Sequence, residues 1–167
     1  IYSYNKKKFI RLGHRGLPKK SVENTLESFE EALNSELDGI ELDVQCTLDN
    51  KIIVYHNWDI KTECEKYELI KNLSYAEINN AVSKLNYKVP LLEEVLELIG
   101  NKCIINIEIK SLTLKNSKIE KAILKLLYFY KIEDNCIISS FNPFIIKRVK
   151  KTNPKIITAF LWTKNKS

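Results

Sequence analysis

The chain contains no apolar run long enough to cross a bilayer and no stretch resembling the hydrophobic region of a signal peptide. Neither a membrane-spanning helix nor stable membrane insertion is expected, and the expected location is cytoplasmic. Arginine is scarce: the +6 formal charge comes from 24 lysines and only three arginines, scattered in small groups such as Lys6-Lys7-Lys8 and Lys19-Lys20. A nucleic-acid surface would concentrate arginine with interleaved aromatics, so no nucleic-acid partner is expected, only a solvated surface that mildly attracts anions. Cys46, Cys64, Cys103 and Cys136 form no C-x-x-C pair, which argues against a structural zinc site. Cys103 and Cys136 open apolar runs and read as buried, reduced thiols. Histidine is scarcer still, with two residues in 167.

What is present is a regular alternation. Phe9-Ile-Arg-Leu12 reads as a short buried strand that delivers His14 and Arg15 to its end, ahead of the flexible Gly16. Ser21 to Ser35 carries Leu26, Phe29, Ala32 and Leu33 on one helical face, with Ser21 and Asn24 as N-cap candidates. In Glu41-Leu42-Asp43-Val44 strict alternation puts both acids on one face of a strand. The turn signal Asp49-Asn50 precedes a second strand through His56. A hairpin centred between residues 49 and 50 would set His56 opposite Asp43. Residues 57–88 are polar and irregular, an excursion with one helix at Ser74 to Val82, capped by Ser74 with Glu77.

Beyond it, a helix is expected from Pro90 to Ile99, ended by Gly100. Strands follow at Cys103 to Ile109, Cys136 to Ser140 and Ile156 to Trp162, with helices at Ile119 to Tyr130 and Pro143 to Lys151. Repeated βα units imply an α/β fold with a parallel sheet, because parallel strands require crossover connections. Ligands of such folds gather at the carboxyl ends of the strands, where both histidines and three acids of this chain fall.

Glu41, Asp43 and Glu108 crowded in a partly dry pocket would repel one another by several kcal/mol. A hard divalent cation, Mg²⁺ or Ca²⁺, neutralises such a set through oxygen ligands. Asp38 and Asp49 read instead as solvated loop acids. Arg15 and Lys110 are then the positive counterparts for an anionic substrate, and phosphate fits both an ion and an arginine fork. His14 and His56 can supply the base and the acid that hydrolysis of a phosphodiester requires.

Seven motifs occur together: His14-Arg15-Gly16; Glu23-Asn24-Thr25 with Ser28-Phe29; Glu41-Leu42-Asp43-Val44 with Thr47 and Asp49; Val54-Tyr55-His56; Val89-Pro90-Leu91-Leu92-Glu93-Glu94-Val95; Asn106-Ile107-Glu108-Ile109-Lys110; and Ser139-Ser140-Phe141. In order and spacing, from about residue 9 to 162, the chain resembles the glycerophosphodiester phosphodiesterase family. The resemblance implies a TIM (β/α)8 barrel of the phospholipase C-like phosphodiesterase type. It also implies cleavage of small-molecule glycerophosphodiesters to glycerol 3-phosphate and an alcohol with a divalent cation. Residue by residue, it implies His14 and His56 as the acid/base pair, Glu41, Asp43 and Glu108 as metal ligands, Arg15 on the phosphate and Lys110 as a supporting cation.

The chain departs from that pattern in three places. Asn57 follows the second histidine where aspartate is usual, and the arginine and threonines that commonly come next are represented only by Lys61-Thr62. Only five barrel-type strands are expected in residues 1–167, taken as one domain with an insertion at about 57–88, so the barrel is truncated. Trp162-Thr-Lys-Asn165 spells a late family motif, but too early in the chain, and reads as coincidence, the alternative being a deletion that joins it to an earlier strand. The expectation is a fragment of a longer protein, the other readings being a homo-oligomer that supplies the missing strands and a degraded remnant. The alternatives in function are a sphingomyelinase D-like phospholipase and a non-catalytic glycerophosphate-binding remnant.

Overall fold

The computed structural model describes residues 9–19, 21–62, 64–112 and 118–163. Its elements in chain order are β1 (Leu12–His14), α1 (Leu26–Leu33), β2 (Gly39–Cys46), β3 (Ile52–Val54), β4 (Asp59–Lys61), β5 (Tyr67–Leu69), α2 (Tyr75–Val82), α3 (Leu92–Ile99), β6 (Ile104–Ile109), α4 (Ile119–Tyr130), β7 (Cys136–Ser140), α5 (Pro143–Thr152) and β8 (Ile157–Phe160). Five strands lie parallel in the order β1-β2-β6-β7-β8, and β3 pairs antiparallel with the end of β2. The α/β class and the five βα-type strands therefore agree with the sequence expectation. No helix among the described residues is long and apolar enough to cross a membrane.

The two faces of the sheet differ in chemistry because the side-chain period of a strand is two. Ile40, Leu42 and Val44 of β2, Ile105, Ile107 and Ile109 of β6, and Cys136 and Ile138 of β7 join the main core. They pack there with Phe29 of α1, Leu92 and Leu96 of α3, Ile123 and Leu127 of α4, and Ile145 and Val149 of α5. The intervening residues, Glu41, Asp43 and Gln45 with Asn106, Glu108 and Ser139, are left to the opposite face. Burial of the aliphatic row on one side thus presents a polar row on the other. Cys103 and Cys136 are buried free thiols, as expected.

Four local expectations change. The first strand spans Leu12–His14 rather than residues 9–12, because it is Leu12, Gly13 and His14 that pair with Gly39, Ile40 and Glu41; Phe9 and Ile10 are exposed. Helix α1 is capped by Thr25, whose hydroxyl accepts from the Ser28 N–H, and neither Ser21 nor Asn24 takes that role. The hairpin centres on residue 49, with Val44 opposite Val54, so the Tyr55 N–H donates to the Asp43 carbonyl and His56 lies one residue further on. The cause is a three-residue loop. Thr47 and Lys51 close it, Asn50 adopts φ 60°, and the left-handed residue adds one position to the turn.

Fourth, the excursion is more ordered than its polarity implies. It contains the β4–β5 hairpin and α2, and its Ile60, Ile70, Leu73, Ile78 and Val82 form a small core with Ile53 and Val89 from outside it. Helix α2 carries the expected Ser74/Glu77 capping box. Of Trp162-Thr-Lys-Asn165, the last two residues lie outside the described residues, and Trp162 is exposed just after β8.

Candidate active site

The register of the sheet assembles the site. Asp43 of β2 lies directly beside Glu108 of β6, and Glu41 stands two residues earlier on the same face of β2. One carboxylate oxygen from each of Glu41, Asp43 and Glu108 lies within 4.8 Å of the others. All three expected metal-ligating residues are therefore brought together.

The cations arrive from neighbouring strand ends. Arg15 Nε is 3.2 Å from Asp43 Oδ2, while its Nη1 meets both carboxylate oxygens of Glu23 at 3.0 Å. Lys110 Nζ, at the end of a side chain only 9% exposed, sits 3.8 Å from both Asp43 Oδ1 and Glu108 Oε1 and lies 5.2 Å from the centre of the Trp58 ring. Arg15 has φ 56° and Gly16 φ 90°, a left-handed pair that turns the chain sharply after β1. The turn aims the Arg15 N–H at Glu41 Oε2, at 3.0 Å. A Cβ on Gly16 would stand 2.1 Å from Ser28 Oγ, so this close approach requires glycine.

Residues 23–28 hold the turn from the other side. Ser28 Oγ donates to the Arg15 carbonyl, and so does the Asn24 N–H. Asn24, itself at φ 57°, donates from Nδ2 to Asp43 Oδ2 at 3.1 Å. Asn24 is a site residue that reasoning from helix caps misplaced. Its signal lay in its neighbours: Glu23 and Asn24 form one motif with the Thr25 that truly caps the helix.

His14 ends β1 with its imidazole largely in solvent, and its Nε2 is 3.9 Å from Glu41 Oε2. His56 follows β3. Its Nδ1 is 3.0 Å from Asn57 Oδ1, a contact that keeps an acceptor where the family pattern has a carboxylate. Gln45 Nε2 donates to the carbonyls of Tyr55 and Asn57 and so clamps the backbone on both sides of His56. Gln45 was not expected as a site residue, although alternation sets it on the face of Glu41 and Asp43. Of the two acids expected to be solvated, Asp49 is exposed as expected, whereas Asp38 is not. Asp38 is buried and accepts from the Arg11 N–H, and Asp49 accepts from the Thr47 hydroxyl and the Tyr75 N–H.

The electrostatics match a cation site. Burial, reinforced by the neighbouring Asp43 carboxylate, pushes the Glu41 carboxyl up from 4.5 to about 7, against the opposing pull of the Arg15 N–H. Burial and Asp43 raise Glu108 as well. Arg15 and Lys110 both contact Asp43, so Glu41 is left with a backbone N–H and the more distant His14. An all-oxygen donor set with this residual negative charge suits a hard divalent ion and not a soft one. Glu41, Asp43 and Glu108 would hold it.

Residues 14–167 match the glycerophosphoryl diester phosphodiesterase family. A glycerophosphodiester phosphodiesterase of Caldanaerobacter subterraneus is 34% identical over 163 residues, covering 93% of this chain and 67% of that protein. A putative glycerophosphodiester phosphodiesterase from Galdieria sulphuraria has a similar crystal structure, with a TM-score of 0.82 at 24% identity, covering 93% of this chain and 66% of the other. A phosphodiesterase of Oleispira antarctica, solved in complex with sn-glycerol-3-phosphate, superposes with a TM-score of 0.74 at 23% identity, covering 91% and 65% of the two chains. This chain spans about two thirds of the length of these relatives. The structural neighbours are TIM barrels, and the five parallel strands are consistent with a truncated barrel of that type. By the match along its sequence and the identity to its relatives, the chain belongs to the glycerophosphoryl diester phosphodiesterase family.

Proposed function

We propose that the chain carries the catalytic residues of a phosphodiesterase that hydrolyses glycerophosphodiesters to glycerol 3-phosphate and an alcohol, with Mg²⁺ or Ca²⁺ held by Glu41, Asp43 and Glu108. The observation that carries the reading is the convergence of those carboxylates within 4.8 Å at the strand ends, flanked by Arg15, Lys110 and His14. Held by those carboxylates, such an ion would supply positive charge to the phosphate oxygens and lower the cost of the charge that develops in the transition state.

The chain's own residues do the remainder. Arg15 is poised to exchange an ion pair with Glu23 or Asp43 for the phosphate, its left-handed backbone fixing where the side chain begins. Lys110 places a further positive charge beside Asp43 and Glu108, buried enough for that charge to act at short range. Attack on phosphorus by water forms one P–O bond, breaks the bond to the alcohol and gives glycerol 3-phosphate directly; attack by the neighbouring glycerol hydroxyl expels the same alcohol but leaves a cyclic phosphate, which water then opens to glycerol 3-phosphate. One histidine takes the proton of the attacking hydroxyl and the other protonates the departing oxygen. His56 has Nδ1 against Asn57 and its backbone clamped by Gln45, which leaves Nε2 as the ring nitrogen for the proton transfer.

Turnover of glycerophosphocholine by the 167-residue chain, with and without chelator, tests the reading. Activity should vanish with chelator and return with Mg²⁺ or Ca²⁺, and His14→Ala or His56→Ala should each lower kcat by at least about a hundredfold. Chelator-resistant turnover refutes the metal assignment, and near-normal kcat in either variant refutes the histidine pair.

A further inference from the structure

A cavity of about 550 Å³ is lined by Gln45 and by Lys110, the lysine whose Nζ stands 3.8 Å from Asp43 and Glu108 of the carboxylate cluster. On β2 the row Glu41, Asp43 ends in Gln45; on β6 Glu108 is followed by Lys110; both Gln45 and Lys110 line the cavity. Its walls include Leu48, Trp58 and Leu112, each substantially exposed although large and apolar. Its charged lining consists of Lys71, Lys110 and Lys118, and no carboxylate occurs among the described lining residues. Asp49, in the adjoining turn, is turned onto the Thr47 hydroxyl and the Tyr75 N–H. Trp58, the aromatic surface best suited to a quaternary ammonium group, already has Lys110 over its ring.

We infer that this cavity receives the alcohol half of the diester and selects alcohols that carry their own negative charge over cationic ones. The inference rests on the phosphodiesterase reading above and names its substrate class. With the phosphate held at the carboxylate cluster, a group leaving along the Gln45 and Lys110 rows enters a chamber whose formal charges, among the described lining residues, are all positive. A phosphorylated alcohol meets Lys71 and Lys118 there, whereas a choline group meets their repulsion and finds the Trp58 face occupied.

Three substrates share the glycerophosphate half and differ only in the charge of the alcohol: glycerophosphoglycerol phosphate, glycerophosphoglycerol and glycerophosphocholine. For the Mg²⁺-loaded chain at low ionic strength, kcat/KM should fall in that order. Lys71→Gln and Lys118→Gln lie outside the catalytic set. Each should lower kcat/KM for the phosphorylated substrate by about three- to fivefold and leave glycerophosphoglycerol unchanged. The preference should shrink in about 0.5 M NaCl, as expected of partly exposed charges. A flat or choline-favouring order overturns the inference, as do variants that slow all three substrates equally. If none of the three is hydrolysed, the phosphodiesterase reading fails on its own, and thermal protection of the Mg²⁺-loaded chain by the same compounds decides the cavity. Stronger protection by the phosphorylated compound, lost in the lysine variants, supports the inference, and equal protection by all three overturns it.

Discussion

Replacing Glu41 by glutamine should stabilise the metal-free protein while removing its response to the ion. Three carboxylates within 4.8 Å repel pairwise by about 332/(20 × 4.8), or about 3.5 kcal/mol, at the effective dielectric constant of about 20 suited to such sites. Arg15 and Lys110 offset much of this at Asp43 and least of it at Glu41. The outcome is a Glu41 carboxyl raised from 4.5 to about 7. Below about pH 4.5 the group is protonated whether the chain is folded or not, and the raised value has no effect. Between 4.5 and 7 the unfolded chain ionises and the folded one resists, so stability is lost as pH rises. By pH 8 the loss approaches about 3.4 kcal/mol, taking about 1.36 kcal/mol for each tenfold change in the ionisation equilibrium. Glutamine retains an acceptor for the Arg15 N–H but carries no charge. Allowing for the cost of burying an amide, Glu41→Gln should gain about 2 kcal/mol at pH 8, or about 4–8 °C in Tm, and almost nothing at pH 5.

Thermal denaturation at pH 5 and pH 8, with chelator and with excess Mg²⁺ or Ca²⁺, checks this. The ion should raise Tm of the parent chain, by an amount equivalent to about 2.7 kcal/mol at a hundred times its Kd, and should leave the variant much less affected. The reasoning is refuted if the variant is less stable than the parent in chelator at pH 8, if the gain is equal at both pH values, or if both proteins respond alike to the ion.

The same competition between proton and ion predicts that apparent metal affinity, followed by calorimetry, rises about tenfold per pH unit up to about pH 7 and then levels off; a flat profile from pH 5 to 8 would contradict it. Gly16→Ala would drive a Cβ to 2.1 Å from Ser28 Oγ and 2.8 Å from the Ser28 backbone at φ +90°, which should cost about 2–4 kcal/mol in denaturant unfolding and displace Arg15. Gln45→Ala should free the backbone around His56 and reduce kcat about tenfold with metal affinity unchanged, a split that tells positioning of the histidine from loss of the ion site.

Where local periodicity and local caps govern, the sequence reading and the structure agree. Helix α4 and strand β7 occupy the expected residues, and Ser74 caps α2 with Glu77. The acids of β2 share a face because two is the period of any strand. Disagreement begins where one residue decides between competing local arrangements. Asn24 has the chemistry of a helix cap but turns to Asp43 nineteen positions away, leaving the cap to Thr25. Asn50 takes a left-handed conformation and makes the hairpin loop three residues long, which slides His56 past Asp43. The β4–β5 hairpin was hidden because its strands are three residues each, too short for alternation to register against a polar background.

By itself, then, the order of apolar and polar residues determined a parallel βα run with histidines, acids and cations at strand ends, because side-chain periodicity and crossover geometry are properties of the chain alone. Only the tertiary structure decided that Asp43 stands beside Glu108, that Arg15 and Lys110 converge on Asp43 and leave Glu41 to hold its proton, and that three lysines share one chamber. Those facts depend on the register between strands far apart in sequence and on the exclusion of water from the space between them, and neither is written in any local pattern.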